Sequence, residues 1–132
     1  MSVVGQMLYT HPNDPQGVGR KLRACVEACE QCTQVCAVCA DACLAEDSVA
    51  GLVSCIRTEL DCAELCRTTQ RILLRQTAQK DQFVAATVEA CAQACERCAE
   101  ECEKHPGHEH CRVCAEVCRR CAQACRELLA SL

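Results

Sequence analysis

Eighteen of the 132 residues are cysteine, and their spacing is where the chemistry of the chain begins. Cys25, Cys29, Cys32, Cys36, Cys39 and Cys43 are separated by steps that alternate between four and three. The mean period of 3.5 residues is that of one stripe on a helix. At about 1.5 Å of rise per residue this stripe is roughly 27 Å long. A thiol can be a nucleophile, a disulfide partner or a soft metal ligand. Here it occupies positions that normally hold Leu or Ile, so the spacing predicts a helix whose inward seam is sulfur. The intervening Ala, Glu, Gln and Asp suit a solvated helical face.

The same stripe recurs along the chain, and its repeats define the elements that carry the thiols. The first predicted helix covers residues 18–45, with Leu22 ahead of the ladder. A polar break at Glu46, Asp47 and Ser48 follows, with Asp47 or Ser48 expected to cap the next helix. The second helix is expected over 49–79, with the stripe Leu52, Cys55, Glu59, Cys62, Cys66, Thr69, Leu73. Lys80 and Asp81 mark a turn, and Asp81 is a candidate cap. The third, over 82–104, reads Val84, Val88, Cys91, Cys95, Cys98, Cys102. A break follows at His105-Pro106-Gly107-His108-Glu109-His110. The fourth, over 109–132, reads Cys111, Cys114, Cys118, Cys121, Cys125, Leu128, Leu132.

Four such helices with short turns predict an all-α fold, an antiparallel four-helix bundle with a Cys-lined core. Residues 18–132 form the bundle. Residues 1–17, with Gly5, Pro12, Pro15 and Gly17, are expected as an irregular N-terminal arm that Met7, Leu8 and Tyr9 anchor to the bundle or to a neighbouring subunit. The up–down order collects Leu22, Ile72, Leu73, Val84, Val88, Leu128 and Leu132 at one end as an apolar plug. The other end collects Cys43, Leu52, Cys55, Cys102, Cys111 and the three histidines of the last turn. The expected object is a sulfur-lined tube, sealed at one end and His-rich at its mouth.

Composition narrows the chemistry. With one Phe, one Tyr and no Trp, the core must be built largely from Cys and Ala. The net charge of −4 argues against a nucleic-acid binder, which would carry a basic surplus. No apolar run approaches a membrane span, and the N-terminus shows neither a secretory signal nor a twin-arginine pair. A cytoplasmic location is therefore expected, where thiols stay reduced. Cysteines three or four apart on a helix also fit poorly with the preferred disulfide geometry. A thiol redox buffer would need exposed thiols of low pKa, and these face inward. No Ser/His/Asp set, phosphate loop or aromatic platform is present, so no enzymatic activity is expected.

Eight Cys-x-x-x-Cys pairs (25/29, 32/36, 39/43, 62/66, 91/95, 98/102, 114/118 and 121/125), with Cys55 and Cys111, account for every cysteine. Each pair presents two sulfurs side by side, which suits the soft, low-coordinate Cu(I) ion. Zinc prefers four converging ligands, and iron–sulfur clusters prefer compact loops. Many thiolates held together without cations would be prohibitively costly. Monovalent copper, at about one ion per Cys through bridging thiolates, balances their charge. Sequestration of zinc or another soft heavy metal is the alternative. His110, next to Cys111, is expected to reach an ion at the mouth. His105 and His108 are further candidates, with solvated surface as the bland alternative. Glu59 lies on the inward stripe and is expected to meet a cation unless it leans out with Thr58 inward. Asp61, beside Cys62, is a weaker candidate, because such acids are mostly surface residues. Met1 and His11 are soft groups in the arm.

The Cys-x-x-x-Cys ladders on four helices, with the His-Pro-Gly-His-Glu-His turn, resemble the bacterial four-helix-bundle copper storage proteins over residues 18–132. The absence of an export signal resembles their cytosolic branch. The resemblance implies a core that binds many Cu(I) ions, assembly as a homo-oligomer, commonly a tetramer, and exchange with copper donor or acceptor proteins. A Met-lined mouth, described for the exported branch, does not carry over to a chain whose mouth holds histidine.

Overall fold

The structure is a computed structural model that describes residues 2–13, 19–77 and 80–132. Its elements are α1 (Val3–Tyr9), α2 (Gly19–Leu44), a 3-10 turn (Val49–Leu52), α3 (Val53–Leu73), α4 (Gln82–Glu103) and α5 (Glu109–Leu129). Helices α2 to α5 form an antiparallel ring in which each packs on the helices before and after it, and α5 closes on α2. All eighteen cysteines are buried and free, so the sulfur stripes of the four helices face one another along the axis.

Few large side chains support this ring. Leu22, Leu73, Val88 and Leu128 are fully buried and form the closed end, and Leu52 is buried at the opposite end. Between them the core is mostly Cys and Ala, with Val26, Val117, Thr69 and Glu59 among them. Small residues let the helices approach closely, and that brings sulfur from one helix within reach of sulfur on the next. Pairs of Arg126 with Glu96 (2.8 Å) and Arg119 with Glu103 (2.7 Å) tie α5 to α4 on the outside. As exposed pairs they add little stability. Asp81 caps α4, its carboxylate accepting from the Val84 N–H at 3.2 Å.

Three local expectations are corrected. The arm is not irregular throughout, since Val3–Tyr9 is helical. Ser2 caps that helix, its Oγ accepting from the Gly5 N–H at 3.0 Å, and Leu8 is buried in the core while Met7 and Tyr9 stay exposed. Ser48 precedes the 3-10 turn without a side-chain capping bond. The helix predicted over 49–79 begins as 3-10 and ends at Leu73. Its end has a visible cause: Gln76 folds back and donates from Nε2 to the Leu73 carbonyl at 2.6 Å. Asn13 of the arm donates to the Gln76 carbonyl at 3.2 Å, which pins the end against the N-terminal segment. Met1, Pro15, Gly17, Val18 and Gln79 lie outside the described residues. Among the described residues no helix is long and apolar enough to cross a membrane.

Candidate metal centre

The i, i+4 and i, i+3 spacing stacks sulfurs along each helix, and the ring sets them against sulfurs of the other helices. The resulting contacts are 3.6–4.0 Å long. Cys29 touches Cys91 and Cys121; Cys66 touches Cys91, Cys95 and Cys121; Cys62 touches Cys95 and Cys32. Cys36 is a hub, in contact with Cys32, Cys98, Cys114 and Cys118. Cys25 meets Cys125 beside the plug, and Cys55 meets Cys102 towards the mouth. These separations are nearly twice a disulfide length of about 2.05 Å, so the thiols sit at van der Waals distance with room for bridging ions.

Sulfurs this far apart would also fit a tetrahedral zinc site, whose S···S edge is about 3.8 Å for a Zn–S bond near 2.3 Å. Coordination number separates the two metals, and shared membership bears on it. Cys32 and Cys62 belong to one quartet with Cys66 and Cys95, and to another with Cys36 and Cys118. Cys36 and Cys118 in turn form a third with Cys98 and Cys114. Such overlap is what bridging thiolates of a low-coordinate monovalent ion require. Zinc could share thiolates too, but its four-coordination holds far fewer ions than there are sulfurs, whereas a low-coordinate monovalent ion reaches about one per bridging thiolate.

Glu59 lies inside this column, with no surface accessible to solvent. Thr58 is also buried and donates to the Cys55 carbonyl at 3.0 Å, so the inward turn of one does not expel the other. Glu59 Oε1 accepts from Cys43 Sγ at 3.7 Å and Oε2 from Cys102 Sγ at 3.5 Å. It therefore bridges α2 and α4 at the level where the column approaches the mouth. Burial, ahead of the charge on Cys114, pushes its carboxyl up to about 7. Burial likewise raises the thiols of Cys43 and of Cys111, the latter to about 11, with the charges of Glu59 and Cys55 adding to the two respectively. A cation that replaces the thiol protons relieves this cost.

At the mouth, His110 Nδ1 lies 3.2 Å from Cys39 Sγ and 3.6 Å from Cys111 Sγ. With Cys43 these groups form a mixed sulfur–imidazole set whose ligand atoms all lie within 4.8 Å of one another. His110 is partly open, with 25 % of its side chain accessible. Together with Cys39 it lines an apolar groove of about 420 Å³ between α2 and α5, walled by Gln34, Val35, Val38 and Val113. His108 stacks on His110 with ring centroids 5.6 Å apart. His105 is half-buried in the same turn, outside the His110 set. Asp61 points away from the column: it is exposed and lines a surface groove with Glu64 and Arg97. Its neighbour Cys62 faces in, and the roughly 100° between successive residues at 3.6 per turn puts Asp61 on the outer side here.

Sequence reasoning missed Glu46. Its Oε2 sits 2.8 Å from His110 Nε2 and 2.9 Å from His108 Nδ1. The signal was present, because an up–down bundle puts the 45–48 turn at the same end as the histidine turn. Which acid of that turn would meet which imidazole was not in the periodicity.

Comparison with known proteins agrees with this geometry. The family described as copper storage protein matches residues 18–130. A structure of a copper storage protein from Streptomyces lividans, loaded with 10 copper equivalents, is 50% identical. It has a TM-score of 0.94, over 98% of this chain and 99% of that one. Another structure, of copper loading to a cytosolic copper storage protein from the same organism with five coppers, is 51% identical. Its TM-score is 0.84, over 86% of this chain and 95% of that one. A Cu(I)-bound copper storage protein of Bacillus subtilis is 37% identical, with a TM-score of 0.72 over 82% and 97% of the two chains.

Proposed function

This chain belongs to the copper storage protein family, and from that premise we propose how it stores copper: its core thiols hold Cu(I) as a continuous thiolate cluster, at about one ion per cysteine. The observation that carries the reading is a column of buried, free sulfurs in which each lies 3.6–4.0 Å from at least one other, with quartets that share members. Each ion that enters displaces thiol protons, and each thiolate bridges two ions, so the charge of the column stays near balance. The ligands are Cys25, Cys29, Cys32, Cys36, Cys39, Cys43, Cys55, Cys62, Cys66, Cys91, Cys95, Cys98, Cys102, Cys111, Cys114, Cys118, Cys121 and Cys125. His110 joins Cys39 and Cys111 at the mouth, and Glu59 faces an ion between Cys43 and Cys102.

Copper enters and leaves at the histidine end, because the Leu22–Leu73–Leu128 plug offers no ligand along which to pass an ion. The storage unit is residues 18–132, and the N-terminal segment docks on it through Leu8. The role is storage without a catalytic step, in the cytosol, as in the Streptomyces protein described as cytosolic. Exposed Val38, Leu44 and Val53 supply apolar surface for a homo-oligomer, which by family resemblance is a tetramer. Donor or acceptor proteins exchange copper at the mouth.

The deciding experiment titrates reduced apo-protein with Cu(I) against a competing chelator and counts bound metal. The expected ratio is near one ion per cysteine, with far fewer Zn(II) ions in a parallel titration. Saturation at four or fewer Cu(I) ions per chain would overturn the reading.

A further inference from the structure

The contacts around Glu46 form a hydrogen-bond network that, for neutral imidazoles, has one consistent assignment of protons. Its Oε2 is shared by two imidazoles, His110 through Nε2 at 2.8 Å and His108 through Nδ1 at 2.9 Å. A carboxylate only accepts, so both nitrogens donate. That leaves His110 Nδ1 as a bare lone pair, and this is the nitrogen that faces Cys39 and Cys111. It leaves His108 Nε2 as an acceptor, which faces the Ser48 hydroxyl at 3.4 Å. Oε2 and the four ring nitrogens each have the role their neighbour requires. Glu46 stands on the turn after α2, whereas both histidines stand at the start of α5, so the carboxylate, with the Ser48–His108 contact beside it, also ties these two elements together.

We infer that Glu46 is a positioning residue for the mouth site: it holds the His110 ring and fixes its Nε2–H tautomer, so that Nδ1 is presented to an incoming Cu(I) ion together with the sulfurs of Cys39 and Cys111. The inference rests on the storage reading and deepens it by naming what prepares the first landing point. A carboxylate behind a ligating imidazole orients the ring and raises its basicity, and its loss typically weakens metal binding 10–100-fold. Glu46 itself is not a ligand here, because its oxygens face the outer edge of the ring. His108 is its second anchor, which holds the carboxylate in place from the side away from Cys39.

The test uses the reduced, full-length apo-protein and three variants: Glu46→Ala, Glu46→Gln and Asp47→Ala. Nitrogen-15 NMR of the imidazole rings reads the tautomer without any metal. In the parent, His110 is expected as a single Nε2–H tautomer. In Glu46→Ala it becomes a mixture, and stopped-flow uptake of the first Cu(I) equivalent slows about tenfold. Glu46→Gln restores both readouts towards the parent, because its amide oxygen still accepts from Nε2–H. Asp47→Ala removes a neighbouring negative charge without touching the network, and leaves both unchanged. Total Cu(I) capacity stays at the parent value in all three. The inference is overturned if the parent carries the Nδ1–H tautomer, or if Glu46→Ala leaves tautomer or rate unchanged. It is equally overturned if Asp47→Ala slows uptake as much as Glu46→Ala, which would reduce the effect to attraction by charge. Loss of high capacity in the parent itself would instead overturn the storage reading, so the two failures are distinguishable.

Discussion

Replacing Glu59 by Gln should remove a pH-dependent cost from the metal-free bundle. The carboxyl is fully buried and touches two thiols, and burial lifts it from an ordinary 4.5 to about 7. The folded state therefore holds the proton more tightly than the unfolded chain does. The stability linked to that proton is fully present below about pH 4.5 and is lost as pH rises through about 7. At 1.36 kcal/mol per pH unit, the gap amounts to about 3 kcal/mol. Unfolding entropy of about 2.1 cal/mol/K per residue over 132 residues converts this to about 11 °C in melting temperature. Glutamine keeps the shape and an acceptor oxygen but cannot ionise. The assay is urea unfolding of reduced apo-protein, parent and Glu59→Gln, at about pH 4 and about pH 8.5. Burial, the largest cause at Cys43 and Cys111, keeps these two neighbouring thiols protonated at about pH 8.5 with or without the Glu59 charge, so they add little to the difference. The variant should gain about 3 kcal/mol on the parent between the two pH values. A difference that stays constant with pH would refute the claim that Glu59 must hold its proton in the empty column.

Two further outcomes follow from the same geometry. Leu73→Ala in the fully buried plug should cost the apo-protein about 2–5 kcal/mol while Cu(I) capacity is unchanged, since no sulfur is lost; a fall in capacity measured by metal analysis would mean that the plug also shapes the ligand column. Replacing His105, His108 and His110 together by Ala should slow Cu(I) uptake in stopped-flow traces and leave the final ratio nearly intact, because sulfur supplies nearly all the ligands; equal rates would place the entry route elsewhere.

The empty column also bears on how such a core folds before it is loaded. Cysteine behaves as a small hydrophobe, so contacts among thiols bury less apolar area than Leu would. The fully buried leucines therefore carry weight beyond their number. Metal that binds only the folded state adds to whatever stability they supply.

Periodicity alone determined the helices, their inward faces and the identity of the core. A stripe of 3.5 residues has one way to be buried, so Cys36, Cys66 and Cys118 lie on the axis as their spacing requires. The inward turn of Glu59 was legible for the same reason, as was the capping of α4 by Asp81. Ends and turns were less legible. The N-terminal helix rests on Ser2 and on burial of Leu8, and α3 stops at Leu73, whose carbonyl Gln76 takes over while Asn13 holds the Gln76 carbonyl. The Ser2–Gly5 and Gln76–Leu73 bonds span only three residues but fall outside the apolar period, and the Asn13–Gln76 bond joins residues distant in sequence, which no local pattern encodes. The mouth belongs to the same class. The sequence placed His110 beside Cys111, but only the tertiary structure decided that its other ring nitrogen would meet Glu46 and that Cys39, from the neighbouring helix α2, would complete the set. Helical period selects which face turns inward; the rotation and depth at which two helices meet come from packing, and packing chooses the partners.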